Sequence, residues 1–196
     1  IEGKHTGIDP VRFDSELFHA AASAMRRLLG AAADSTPLIC PVGMSVLSSH
    51  KDLRRIVGMM TGLPGLQSGI VIEVPGDALH HEGLASTGAA LLLDAGIRLA
   101  VEGSLPDGQH MDILERFAFE FWSLKGIHIA MSGKSTDTGG TGTRLVATHL
   151  AEDHDVVAII DAGVKLVCGP LFADPKPVRK RGDVGPDFPD QRKEAL

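Results

Sequence analysis

Short, unbroken apolar runs rich in Ile and Val recur along the chain, at residues 37–42, 70–74, 97–101, 127–131, 145–148 and 165–169. Runs of this length without polar alternation predict parallel strands covered on both faces. Between them the apolar positions fall at helical spacing, over residues 15–29, 50–61, 78–94, 111–124 and 152–161. Strands alternating with helices predict an α/β fold with a parallel sheet and right-handed crossovers.

Two helix exits repeat one pattern, Asp94-Ala95-Gly96-Ile97-Arg98-Leu99 and Asp161-Ala162-Gly163-Val164-Lys165-Leu166. Each reads as a helix closed by a left-handed glycine and followed by a strand. Leu124-Lys125-Gly126-Ile127 has the same shape. Such repetition fits an open doubly wound sheet or a barrel, and periodicity does not separate the two. The predicted helix over residues 109–125 is apolar on two sides. Ile113, Leu114, Phe117, Phe121 and Leu124 form one stripe, and Met111, Phe119 and Trp122 lie nearly opposite. A helix apolar on both sides is normally covered on both, so Met111, Phe119 and Trp122 are the expected interface for a protein partner or a homodimer.

Composition narrows the function classes. The 196 residues carry a formal net charge of −6, which argues against a nucleic-acid polymer as partner. No apolar run reaches the roughly 20 residues of a membrane span, and the first ten residues do not read as a signal peptide. Cys40 and Cys168 lie in apolar runs and read as free thiols of a reducing compartment. The expected location is the cytoplasm, with the chain as a part of a longer protein. The expected organisation is a segment at 1–12, a domain at 13–178 and a Pro-rich, basic tail at 179–196.

Several motifs dissolve on inspection. Gly133-Lys134-Ser135 resembles the end of a phosphate loop, but His128 stands where that loop needs its first glycine. Asp137-Thr138-Gly139 is one copy of a triplet that acts in pairs on another fold. His80-His81-Glu82 lacks the second histidine of a zinc-binding helix face, and neither Ser45 nor Ser48 sits in a nucleophile elbow.

What remains is an order of weak matches. Leu145-Val146-Ala147-Thr148-His149-Leu150, a helix over 155–163, and then Val167-Cys168-Gly169-Pro170-Leu171-Phe172 with Pro175 and Pro177 resemble the closing strands of EAL domains. Those read "VAEGVE", then "QGYLF", then a P-x-P exit. Leu99-Ala100-Val101-Glu102-Gly103 resembles the family's "LALDDFG", Ile70 to Val74 its "LELTE", and Pro41 to Ser45 its "VNLS". The resemblance runs over residues 13–178. It implies a TIM-like (β/α) barrel of EAL type, shortened at its N-terminal strand, from a family that hydrolyses cyclic di-GMP with two divalent cations at the carboxyl ends of the strands.

Carried over residue by residue, the resemblance keeps a metal-binding acid at Glu73 and an altered one at Glu102. It places Gly43 at the metal-binding Asn, Gly76 and Gly103 at lost acids, and His128 at the catalytic Lys. Ala130 falls at that strand's Asp, Thr148 and Ala151 at the two Glu of "EGVE", and Cys168 at the Gln. Two carboxylates do not make the five or six oxygen donors each hard cation takes. The resemblance therefore implies a catalytically inactive signalling or scaffolding domain, with no cofactor and at most weak binding of cyclic di-GMP. Glu73, Glu102, His128, Thr148 and Cys168 would line a vestigial pocket, or a new transition-metal site. The alternative is a metal-dependent cyclic di-GMP phosphodiesterase holding Mg or Mn through Glu73 and Glu102. An unrelated open-sheet α/β enzyme is the third class.

Overall fold

The computed structural model describes residues 9–30, 36–62, 69–79, 83–104, 110–132 and 138–172. The tail at 179–196, Gly133-Lys134-Ser135 and His80-His81-Glu82 lie outside the described residues.

Helix α1 (Pro10–Leu29) begins where its chemistry directs: the Asp9 carboxylate accepts from the Val11 N–H at 3.0 Å, and Pro10 needs no partner for a missing N–H. The helix expected over residues 15–29 thus starts at Pro10, and its Val11 is buried in the core. Then come β1 (Leu38–Pro41), α2 (Met44–Leu47), α3 (His50–Gly62) and β2 (Ile70–Pro75), which runs into a 3-10 turn, Gly76–Leu79. Helix α4 (Leu84–Asp94) leads to β3 (Leu99–Glu102), and α5 (His110–Phe117) to β4 (Phe121–Lys125). Helix α6 (Gly126–Ser132), β5 (Arg144–Thr148), α7 (Asp153–Asp161) and β6 (Leu166–Val167) close the described chain.

All strand pairs are parallel and the sheet order is β1-β2-β3-β4-β5-β6. A doubly wound sheet reverses its order at a switch point. This one never does, which identifies a TIM-like arrangement: a curled half-barrel of six strands. The expected glycine caps are present, with Gly96 at φ 74° and Gly163 at φ 79°.

Side chains alternate between two apolar layers. Ile72, Val74, Leu99, Val101, Trp122, Leu124 and Ala147 face the helices and pack with Phe18, Leu53, Ile56 and Leu92. Val71, Ala100 and Phe121 face the concave side, with Ile39, Val146 and Leu166 around them.

One expectation fails outright. The helix expected over 109–125 stops at Phe117, because Ala118 takes a left-handed turn at φ 46°. Phe121–Lys125 then forms β4, and the run at 127–131, expected as a strand, lies inside α6. Phe119 and Trp122 are each 2% exposed. Met111 is half-buried against the core. Its methyl lies where a Cβ on Gly139 would stand. The stripe read as an interface is therefore covered within the chain: Phe119 packs on Phe117, and Trp122 belongs to the helix-facing layer. Among the described residues no helix is long and apolar enough to cross a membrane.

Candidate ligand site at the carboxyl ends of the strands

Two-residue alternation decides what faces the concave side above its apolar floor. One step beyond Val71, Ala100, Phe121, Val146 and Leu166 stand Glu73, Glu102, Ser123, Thr148 and Cys168, and Lys125 follows Ser123. Glu73 is the centre of this mouth. Ser123 Oγ donates to its Oε1 at 2.7 Å. Burial pushes the Glu73 carboxyl up from the ordinary range; the Ser123 hydrogen bond opposes this and the Glu102 charge adds to it. The Cys40 thiol is pushed up to about 11, by burial and then by Glu73. Cys168 is exposed as a residue, yet its thiol also moves up through partial burial and then Glu73. Both cysteines are held as thiols, the unreactive form.

His128 is not in the mouth. It is an exposed residue of α6, displaced by the same shift that created β4. The residue at the end of the strand is Lys125, in register with Thr148. Thr148 Oγ1 donates to the Leu124 carbonyl at 3.2 Å, and His149 Nδ1 meets Thr148 Oγ1 at 3.0 Å. The structure thus brings Glu73, Glu102, Thr148 and Cys168 to one mouth, removes His128, and adds Ser123, Lys125 and His149. A correct placement of β4 would have found Ser123 and Lys125 by alternation alone.

Asp14 is another carboxylate that the pattern hid. It is buried in α1, and its Oδ2 accepts from the Gly43 N–H at 3.2 Å just beyond β1. Burial raises its carboxyl and the Gly43 bond partly restrains it. Its place in the amphipathic pattern of α1 gave no sign of this contact.

The glycines of the mouth differ in kind. At Gly43 a Cβ would meet only Asp14 Oδ2 and Ser45 Oγ, both at 3.7 Å, and φ is −68°. At Gly76 it would lie 2.7 Å from the Ser104 carbonyl oxygen and 3.0 Å from that of Glu102. Gly103 sits at φ 88°, held by the Trp122 indole N–H, which donates to its carbonyl at 2.9 Å. The exits of β2 and β3 are therefore packed backbone on backbone.

One Glu73 oxygen accepts from Ser123. Among the described residues no three His, Cys, Asp or Glu side chains converge as metal ligands.

No protein-family model matches the sequence, and no curated protein does. Solved structures do. An S helix-GGDEF-EAL chain of Vibrio cholerae LapD, bound to c-di-GMP, superposes with a TM-score of 0.65 at 13% identity, over 81% of this chain and 41% of that one. The EAL domain of Xanthomonas citri FimX in complex with c-diGMP gives 0.62 at 17% identity, over 86% of this chain and 71% of that one. The EAL domain of Mycobacterium smegmatis DcpA gives 0.63 at 15% identity, over 87% and 82%. The chain spans less than half of the LapD chain it matches. At these identities the likeness is one of fold.

Proposed function

Starting from the EAL-type fold, we propose that this chain is a signalling or scaffolding module without phosphodiesterase turnover, acting in the cytoplasm through protein contacts, with only weak affinity for cyclic di-GMP. The observation that carries this reading is the donor set of the mouth. Glu73 and Glu102 are its carboxylates, and among the described residues no three or more His, Cys, Asp or Glu side chains group so as to hold a metal ion, whereas two hard cations need many oxygen donors. Protein contacts are supported by α6 and α7, whose Ile127, Val157 and Ile160 are exposed. Val157 and Ile160, three apart, share one face of α7.

A second reading keeps the phosphodiesterase activity, and Lys125 favours it: the lysine that the resemblance implies for this strand is restored once β4 ends at residue 125. One assay separates the two. Cyclic di-GMP is incubated with the chain and Mg or Mn, beside a Glu73→Ala control. No linear product above the control is expected, and product above it overturns the proposal. Calorimetry should give a Kd weaker than low micromolar, the range that corresponds to about −8 kcal/mol.

A further inference from the structure

Helices α6 and α7 pack against each other. Their inner sides belong to the core through Ile129 and Ile159, while Ile127, Val157 and Ile160 are exposed. Asp161 is exposed too and shares the outer face of α7 with Val157. Between Arg144 and Lys165 the chain carries Glu152, Asp153, Asp155 and Asp161 and no Lys or Arg. Helix α6 has no Lys or Arg either. The apolar face therefore lies in an acidic stretch. A second copy laying the same face upon it would set acid against acid, which disfavours that pairing. A basic occupant fits.

The chain itself carries one close by. The Leu171 N–H donates to the Leu150 carbonyl at 3.1 Å, and Leu150 leads into α7 through its N-cap, Glu152. Leu171 and Phe172 are exposed. Beyond them, outside the described residues, the sequence continues with Pro175, Lys176, Pro177, Arg179, Lys180 and Arg181. Helix α7 has 9 residues and is about 14 Å long at a rise of about 1.5 Å per residue. An extended chain leaving Leu171 spans about 16 Å by Lys176 and about 33 Å by Arg181. It can therefore follow the helix to its C-terminal end, where cations are favoured. We infer that the segment Lys176–Arg181 straps the outer face of α6 and α7 in the same chain. Its cations lie beside the acids of α7, and it covers Val157 and Ile160. Single exposed ion pairs are weak, but so short a tether holds the segment at a roughly millimolar effective concentration. The strap rests on the reading of α6 and α7 as a contact surface and adds its control, since a protein partner has to displace it.

The test is methyl NMR on the full chain with a spin label at Val178→Cys, in a Cys168→Ser background. Cys40 is buried and its thiol is pushed up to about 11, so it stays unlabelled. The methyl signals of Ile127, Val157 and Ile160 should lose intensity. Those of Ile56 on α3, between β1 and β2 at the other end of the sheet, should keep theirs. Lys176→Gln, Arg179→Gln, Lys180→Gln and Arg181→Gln together should restore the lost signals. Salt at about 1 M should do the same, because charges then reach only about 3 Å. Untouched signals overturn the strap, and so does a loss that survives the four Gln substitutions. Loss seen only when the label sits on one copy and the observed methyl groups on another makes the face an interface between copies. That result overturns the strap and leaves the contact surface standing. Hydrolysis of cyclic di-GMP in the metal assay would sink the turnover-free reading and leave the strap standing.

Discussion

Ser123 on β4 donates its hydroxyl to Glu73 on β2, across the full width of β3, at 2.7 Å. In a flat sheet, strands two apart lie about 10 Å from each other. Closing that gap between two short side chains requires strong curvature, so the bond measures how tightly the half-barrel curls. It also places a half-buried acid where several other groups feel its charge.

That acid makes stability depend on pH in a defined sense. The folded Glu73 carboxyl lies above its unfolded value, about 4.3 for an ordinary glutamate, chiefly through burial. Its folded form holds a proton that the unfolded chain has released. Its contribution to stability is whole below the unfolded value and is lost as pH rises through the folded one. Glu73→Gln should therefore melt higher than the parent at neutral pH, and the gap should close in acid. Thermal melts across that range check it; a gap that widens in acid contradicts the assignment.

Gly76 and Gly43 should respond oppositely to a side chain. Gly76→Ala drives a Cβ against the Ser104 and Glu102 carbonyls, an overpacking that costs about 1–3 kcal/mol. Gly43→Asn meets ordinary contacts only and caps α2, so it should stay within about 0.5 kcal/mol of the parent. Denaturant unfolding of both variants is the check.

Trp122 is the chain's single tryptophan, so its fluorescence reports one place. Buried and bonded to the Gly103 carbonyl, it should be poorly reached by acrylamide. Trp122→Phe removes the donor and leaves that carbonyl short of a partner, a loss of about 1–3 kcal/mol. Mass in solution should not change, because the residue faces its own core.

At the opposite end of the sheet Glu120 receives Arg98 at 2.7 Å through both Nε and Nη2, and Arg144 as well. Arg144 also lies 4.2 Å over the Phe121 ring, at the base of the concave layer. Glu120→Gln should cost about 1 kcal/mol, the upper range for partly exposed pairs with good geometry. The loss should shrink in high salt, where screening has already weakened the parent's pairs.

How much of this was legible depended on punctuation. Gly96 and Gly163 mark their helix ends because left-handed turns favour glycine, and the strands that follow them fell within two residues of their places. The α5–β4 turn carries no such mark. Its left-handed residue is Ala118, and the apolar positions from Met111 to Leu124 satisfy a helical period as well as they satisfy a helix, a turn and a strand. That one silent turn moved Phe119 and Trp122 from surface to core, set His128 in the mouth in place of Lys125, and hid Ser123. The Asp14–Gly43 contact joins positions 29 residues apart and has no local signature at all.

The strictly sequential sheet has a mechanical consequence. Its middle strands have neighbours on both sides, whereas β6 has two residues and, among the described residues, one neighbour. Opening should be easiest at that end, since local opening free energy follows the contacts holding a segment. The mouth therefore has a stiff half, where Glu73 and Ser123 sit, and a yielding half built on Thr148, His149 and Cys168. Whatever settles on the yielding half binds the part of the sheet with the most motion to lose. Occupancy there would be felt as a tightening of β5 and β6, readable as slower amide exchange, while β2 and β3 stay as they were.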